Sequence, residues 1–389
     1  NDQIKLNDGS YGTHLMYMDF ASCQEIYLCS SPGCGHDTQD CTAVLPGTEF
    51  FPYLTKLFLF GDHLFALCLR PEYIAQVSTE FTSSLSGGST TDSSPSVLYR
   101  MNPDGTGREK VYEFASSLTP EGTLAADKDG LYIIAEKLSS EKTDTGSHTF
   151  ASERSLIHLN LSSFQAETVC SLDFGDDISW RMIGCAQGSI LLRGTDYGHK
   201  LTDEENDDDD RYKILFKNSH EVFALLEPSS KNLRELCRIS NDRILSAAVM
   251  NDILYISREN DNEIIGIDTA SGKQQTIASL PQTNIWDTLD DVLCCTNWDA
   301  SDHTYHFVNV KTGEVFHSGL VNKSLGWRLT FKAQANQDVL VVYDYDAAPS
   351  QLNEGGYEIF REIYGLISRE DLFAGKENYR TIQAAEGGF

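Results

Sequence analysis

Four residues near the start of the chain have the types and the spacing of a metal site. Cys29, Cys34, His36 and Cys41 follow the pattern C-x4-C-x-H-x4-C, which places three thiols and one imidazole within thirteen residues. Three sulfurs and one nitrogen match the closed, four-coordinate ligand set of structural zinc. Gly33, beside the second cysteine, permits the tight backbone that chelation needs. A catalytic zinc needs an open position, so the pattern favours a structural zinc.

A disulfide is the main alternative for the same residues. A Cys34–Cys41 bridge with a spare thiol, or three free thiols, would also fit the spacing in an exported protein. The other cysteines lie mostly in or beside apolar, strand-like runs, where they read as small buried hydrophobic side chains; those in such runs are Cys68, Cys170, Cys185, Cys237, Cys294 and Cys295.

No motif in the sequence selects a catalytic group. There is no H-E-x-x-H pair, no G-x-S-x-G nucleophile turn and no glycine-rich phosphate loop. The acidic run at residues 203–210 lacks the glycine and the spaced terminal glutamate of a calcium-binding loop, so a solvated loop is favoured over a calcium site. The 58 acidic residues offer many carboxylate pairs for glycoside chemistry, but nothing singles out one pair.

Tryptophans could stack against sugars at the ends of strands, although packing between strands is the favoured interpretation. The four are Trp180, Trp286, Trp298 and Trp327.

Composition limits the partners and the compartment. The formal net charge of −28 repels phosphate backbones, which argues against nucleic acid. An anionic membrane surface is disfavoured in the same way, apart from an N-terminal lipid anchor. Because the chain begins at Asn1 without Met, we expect a removed export segment and an extracellular or cell-surface monomer, although a trimmed chain would look the same.

A repeated unit dominates the rest of the chain. Polar turn residues precede short runs of branched and aromatic residues, as in a hairpin. Spacings between successive turns are 49, 67, 58, 65, 39 and 47 residues, and polar inserts account for the long ones. A four-stranded propeller blade takes about 40–50 residues. The turn positions are Thr13, Asp62, Asp129, Gln187, Asp252, Asp291 and Asp338.

These spacings predict an all-β protein, a single β-propeller domain over residues 1–389 with about seven four-stranded blades. We expect the two ends of the chain to lie side by side, since a propeller must join its first and last blades. Helical periodicity is nearly absent, apart from one or two turns at residues 369–374. The predicted blades are near residues 1–48, 49–115, 116–173, 174–240, 241–281, 282–322 and 323–389.

Two segments resemble known families. Residues 99–107, YRMNPDGTG, are similar to the strand-and-turn signature of TolB-like and YWTD-like propellers. Residues 27–41, YLCSSPGCGHDTQDC, resemble a motif of uncharacterised predicted lipoproteins of Gram-positive gut anaerobes, which carry propeller-like repeats downstream. The resemblance implies a surface-anchored propeller and no particular activity.

The first functional hypothesis is therefore a non-catalytic, exported or cell-surface binding or scaffold propeller, and the sequence favours a protein that is not an enzyme. It would have a structural metal knuckle in its first blade and a glycan, peptide or protein ligand. The alternative is a propeller hydrolase or lyase that acts on a glycan or peptide in the central funnel. A third reading is an intracellular interaction propeller. A cluster of Asp, Glu, His and Arg with perturbed pKa values at the funnel mouth would favour the enzyme.

Overall fold

The computed structural model describes most of the chain. The described residues are 3–46, 54–69, 95–142, 148–175, 178–199, 202, 211–217, 219–240, 244–258, 262–297, 304–350 and 356–385. The acidic run at 203–210 and Trp298 lie outside these residues. Neither helix in the described part of the chain is long and apolar enough to cross a membrane.

The N-terminal segment forms two small sheets, which we call the N-terminal unit. One has the strand order β1-β2-β5 and the other pairs β3 with β4. The strands are β1 Gln3–Lys5, β2 Tyr11–His14, β3 Met16–Asp19, β4 Gln24–Tyr27 and β5 Val44–Pro46.

Six four-stranded antiparallel sheets follow, and we call them blades 1 to 6. Blade 1 contains β6 Thr55–Phe60, β7 His63–Cys68, β8 Val97–Met101 and β9 Glu109–Glu113. Blade 2 contains β10 Leu118–Ala126, β11 Gly130–Lys142, β12 His148–Asn160 and β13 Ala166–Ser171. Blade 3 contains β14 Arg181–Ala186, β15 Ser189–Asp196, β16 His220–Glu227 and β17 Asn232–Ser240, with helix α1 Arg211–Phe216 between its second and third strands.

The last three blades have the same order. Blade 4 contains β18 Ile244–Met250, β19 Ile253–Arg258, β20 Glu263–Asp268 and β21 Gln274–Ser279. Blade 5 contains β22 Thr283–Leu289, β23 Val292–Asn297, β24 Tyr305–Asn309 and β25 Val315–Ser318. Blade 6 contains β26 Thr330–Ala335, β27 Asp338–Pro349, β28 Tyr357–Ser368 and β29 Arg380–Thr381, with helix α2 Arg369–Phe373 before β29.

The first strands of consecutive blades form the innermost layer of the molecule. β10 contacts β14, β14 contacts β18, and β18 contacts β22. Neighbouring blades share apolar clusters: one cluster joins Ile134 and Leu156 of blade 2 to Trp180 and Leu192 of blade 3. This arrangement of four-stranded sheets around a centre is a β-propeller.

The predicted hairpin turns fall between the first and second strands of the blades. Gln187, Asn251 and Asp290 have φ values of 52°, 51° and 49°, as tight hairpin turns require. The second strands are apolar on both faces, because each lies between two neighbouring blades. Val292–Asn297 is buried at five of its six positions.

The prediction of about seven four-stranded blades is wrong by one, because the described part of the chain forms six. The first predicted blade, residues 1–48, forms the N-terminal unit instead. Its predicted turn at Thr13 lies inside β2, and its strands are only three or four residues long. Residues 28–43, which contain the predicted metal ligands, join β4 to β5. This segment replaces the long hairpin strands of a regular blade.

The N-terminal unit lies between blade 6 and blade 1. Leu15 and Leu45 pack with apolar side chains of blade 1, and Met18 and Phe20 pack with those of blade 6. Residue Gln383, after β29, pairs in parallel with Gln24. The N–H of Glu25 donates to the carbonyl of Gln383 at 2.8 Å, and the N–H of Gln383 donates to the carbonyl of Cys23 at 2.8 Å.

The N- and C-terminal segments are therefore adjacent, as predicted. Helix α2 confirms the expected short helix at residues 369–374. The hydroxyl of Ser368 caps it by accepting a hydrogen bond from the N–H of Asp371.

Candidate functional site

The structure brings together the four residues that the sequence singled out. The ligand atoms of Cys29, Cys34, His36 and Cys41 all lie within 4.8 Å of one another, and we call this group the four-ligand cluster. Tetrahedral zinc with Zn–S bonds of about 2.3 Å holds its sulfurs roughly 3.8 Å apart. The cluster is therefore close to the size of a zinc site.

Short turns between β4 and β5 gather the ligands. The N–H of Cys34 donates to the carbonyl of Ser31 at 3.3 Å, and the N–H of Cys41 donates to the carbonyl of Thr38 at 3.2 Å. Gly33, one residue before a ligand, has a φ of 72°, which glycine adopts without strain. The backbone of this segment thus turns sharply at each ligand.

Two neighbouring rings and one thiol fix the imidazole of the cluster. Nδ1 of His36 lies 3.3 Å from Sγ of Cys41, so Nδ1 is the nitrogen that faces the thiols. The ring of His36 stacks on Tyr27, with centroids 4.1 Å apart and an interplanar angle of 17°. Nε2 of His14 lies 2.7 Å from the carbonyl oxygen of His36 and donates to it. The ligand is therefore held in place through both its ring and its backbone.

Burial and hydrogen bonds separate the acidities of two thiols. Burial raises the pKa of Cys41 to about 12. Burial would also raise the pKa of Cys29, but hydrogen bonds from the Ser31 N–H and from the Cys41 thiol outweigh it and bring that pKa down to about 7. Cys29 is thus the readier thiolate, with Cys41 as its proton donor. A metal ion would take the place of the shared proton.

All ten cysteines are described, and all ten are free thiols in the structure.

A second polar cluster lies on blade 2, where sequence reasoning had selected nothing. The first strand, β10, pairs Pro120 with Ala135 and Leu124 with Ile133, so three residues of β10 oppose one residue of β11. Glu121 lies in this bulge, on the innermost layer of the propeller. Bulges re-aim side chains and are common beside active sites.

Two carboxylates and two arginines meet at this bulge, and we call them the bulge cluster: Glu121, Glu136, Arg154 and Arg181. Arg154 forms an ion pair with Glu121 through Nη2, and the exposed fractions of the two side chains are 15% and 23%. Glu136 is the cross-strand partner of Arg154 and is 9% exposed.

The guanidinium of Arg154 is anchored to the next blade. Nη1 of Arg154 donates to the carbonyl of Trp180 at 2.6 Å and to Oγ of Ser179 at 3.0 Å. Both acceptors lie at the entry to β14. Arg154 therefore fixes Glu121 relative to two blades at once.

The pKa of Glu121 is raised above the ordinary value of 4.5. Burial is the largest cause, and it outweighs the attraction of Arg154 and Arg181, while the negative charge of Glu136 adds to the rise. A carboxyl group with a raised pKa on a central strand is a candidate proton donor. The sequence signal was the Pro-Glu-Gly triplet, which breaks the strand alternation and marks a bulge.

Three other innermost strands have a bulge at the same level. In β22, for example, the bulge follows the three residues next to the hairpin turn that pair with β23, namely Leu289, Thr288 and Asp287. The next residue, Trp286, has no pairing partner on β23. The corresponding residues are Ile183 in β14 and Lys332 in β26.

The tryptophans behave differently from one another. Trp180 is a packed core residue at 2% exposed, whereas Trp286 is 68% exposed and Trp327 is 44% exposed. Packing in the core is therefore the correct interpretation for Trp180, and the partly exposed Trp327 packs edge-on against Tyr345 and Tyr357.

No protein-family model matches the chain, and no curated protein matches it in sequence. Solved structures do match. A puromycin-hydrolyzing peptidase of Mycobacterium tuberculosis is 9% identical with a TM-score of 0.51, covering 99% of this chain and 51% of that one. A puromycin hydrolase is 12% identical with a TM-score of 0.41, covering 84% and 53%. An oligogalacturonate lyase of Vibrio parahaemolyticus is 8% identical with a TM-score of 0.47, covering 98% and 86%.

The chain spans about half the length of the two puromycin-hydrolysing proteins. At these identities the likeness shows the fold alone, and it supports a β-propeller. It does not support a lipoprotein or an origin in gut anaerobes.

The first functional hypothesis, a non-catalytic binding or scaffold propeller, is contradicted. The matched structure with a TM-score above 0.5 is described as a puromycin-hydrolyzing peptidase.

Proposed function

We propose that this chain is a propeller enzyme that cleaves glycans, with Glu121 and Glu136 as its reacting carboxylates. The observation that carries the proposal is the position of Glu121: it lies in a bulge of the innermost layer, with a pKa raised by burial and an arginine fixed beside it. Enzymes build paired carboxyl groups in unequal environments for acid and base roles.

The chemistry follows from the two carboxyl groups. Glu121 donates a proton to the glycosidic oxygen as the bond to the sugar breaks. Glu136 takes a proton from the attacking water in a hydrolase, or from the sugar ring in a lyase. Arg154 is a positioning residue, because it acts on the reaction through Glu121.

A glycan suits this site better than a peptide does. The sequence has no nucleophile turn and no zinc-protease motif, and two carboxylates suffice for glycosidic bonds. Trp286 supports the same choice, since an exposed indole on the innermost layer offers a flat apolar face to a sugar ring.

The test is a panel of neutral and uronate-containing polysaccharides assayed with the protein and its variants. We expect Glu121→Gln and Glu136→Gln to lower turnover on any cleaved substrate by at least a hundredfold. New reducing ends alone would identify a hydrolase, and an ultraviolet-absorbing unsaturated sugar would identify a lyase. Glu221→Gln is the matched control, because Glu221 is also buried and ion-paired, to Arg193, in blade 3. Full activity in Glu121→Gln would refute the assignment.

We further propose that the four-ligand cluster binds one zinc ion with a structural role. The donor set fits: three thiols and Nδ1 of His36 already face one point, and the cluster needs no fifth ligand. Zinc would cross-link the segment between β4 and β5, which belongs to the N-terminal unit between blade 6 and blade 1.

The remaining expectations from the sequence are kept as proposals. The net charge of −28 supports a protein that avoids nucleic acid. Export to the cell surface, a lipid anchor, a monomeric state and a single domain over residues 1–389 await fractionation, sedimentation and limited proteolysis.

A further inference from the structure

Two histidines on the outer strands of blade 5 face each other. His306 on β24 and His317 on β25 are direct cross-strand partners, so both side chains lie on the same face of the sheet. Their Nδ1 atoms are 2.8 Å apart. Their rings lie nearly perpendicular, with centroids 4.9 Å apart and an interplanar angle of 87°.

The separation of the two nitrogens is compatible with one class of metal geometry. With metal–nitrogen bonds of about 2.0–2.1 Å, adjacent ligands of a square-planar or octahedral ion are roughly 2.8–3.0 Å apart, and those of a tetrahedral ion are roughly 3.3–3.4 Å apart. The observed 2.8 Å fits the first class. Imidazole nitrogens in that geometry are typical of Cu²⁺ and Ni²⁺.

We propose that His306 and His317 form a two-point binding site for Ni²⁺ or Cu²⁺, separate from the four-ligand cluster. The metal-free pair is held by a hydrogen bond in which one Nδ1–H donates to the other nitrogen. On metal binding the donor imidazole gives up its proton at Nδ1 and takes one up at Nε2, both Nδ1 atoms bind the ion, and water fills its remaining positions because His317 is exposed.

The strands hold the pair ready for a metal. Phe307 pairs with Phe316 and Val308 with Val315 immediately beyond the histidines, so both backbones are fixed by the ladder. Phe307 and Val308 are completely buried. Little conformational freedom is lost on binding, and the second imidazole binds as an intramolecular ligand at high effective concentration.

The experiment is a Ni²⁺ titration of the purified, zinc-saturated full chain by calorimetry. Ni²⁺ is redox-inactive toward thiols, and an absorption band of nickel–thiolate bonds would report any binding to cysteines separately. The wild type is compared with His306→Ala, His317→Ala, His317→Gln and the control His199→Ala, which removes an exposed histidine of blade 3. Circular dichroism verifies that each variant is folded.

We expect one Ni²⁺ site without a thiolate band in the wild type and in His199→Ala. Its affinity should fall at least tenfold, and to the same level, in each of the three variants of the pair, because a chelate needs both nitrogens. Unchanged affinity in these variants would overturn the proposal. So would a loss in only one position, which would indicate a single imidazole ligand.

Discussion

Removal of zinc from the four-ligand cluster should destabilise the whole propeller by a predictable amount. A ligand that binds only the folded protein stabilises it by about 2.7 kcal/mol at a free concentration of 100 times its dissociation constant, and by about 4.1 kcal/mol at 1,000 times. The N-terminal unit packs against blade 1 and blade 6, so its unfolding opens the ring. The loss should therefore appear in the global transition.

The expected shift in melting temperature follows from the size of the chain. An unfolding entropy of about 2.1 cal/mol/K per residue gives about 0.8 kcal/mol/K for 389 residues. A stabilisation of about 2.7 to 4.1 kcal/mol thus corresponds to roughly 3 to 5 °C. A chelator should lower the melting temperature by this amount, and added zinc should restore it.

The assay combines calorimetric melting with elemental analysis and thiol counting on the same sample. Cys34→Ser should melt at the chelated value and should no longer respond to the chelator, while its activity stays at the wild-type level. Cys185→Ser is the control, because that thiol is exposed on β14 and outside the cluster. The reasoning fails if zinc leaves without a change in melting temperature. It also fails if the protein carries no zinc and Cys34 and Cys41 are found as a disulfide.

Three further predictions concern the blades. The raised pKa of Glu121 means that the folded protein binds this proton more tightly than the unfolded chain does, so the stability of the wild type relative to Glu121→Gln should fall as pH rises above 4.5. The measurement is the melting temperature of both proteins against pH, and a difference that does not change with pH would contradict burial as the cause of the raised pKa. Trp286→Ala should leave stability within about 0.5 kcal/mol and raise KM roughly two- to tenfold on a cleaved glycan, and an unchanged KM would remove Trp286 from the site. Tyr305→Phe should lower the free energy of unfolding by about 1–3 kcal/mol in a denaturant titration, because the buried hydroxyl donates to the carbonyl of Leu329 at the start of blade 6. A change near zero would show that this hydrogen bond between blades does not stabilise the fold.

The propeller could be predicted because its signal is local and repeated. Each hairpin turn and each apolar second strand is a short pattern, and both recur along the chain. The count of blades was wrong because one turn-like triplet at Thr13 was read as equal to the others. The triplet at Thr13 differs from the hairpin turns of the blades because the strands around it are short. The length of these strands depends on how they pack against blade 1 and blade 6.

The two candidate sites differ in the same way. All ligands of the four-ligand cluster lie within thirteen residues, so spacing alone was enough to find them. Glu121 and Arg154 are 33 positions apart, and only the pairing of β10, β11 and β12 brings them together. A lone glutamate among 58 acidic residues carries no signal until its neighbours in space are known.

The position of the cysteine cluster explains why the ring can close through an irregular unit. In the blades, long apolar strands such as Val292–Asn297 supply the contacts between neighbours. The N-terminal unit has short strands, and its own core includes Leu6, Tyr27 and Val44 together with the thiols of the cluster. Ala385, two residues after the pairing of Gln383 with β4, packs against that same core. Since the thiols take up space that apolar side chains fill elsewhere, a bound zinc would supply the cohesion that this unit lacks. The closing contact between the two ends of the chain would then depend on the metal.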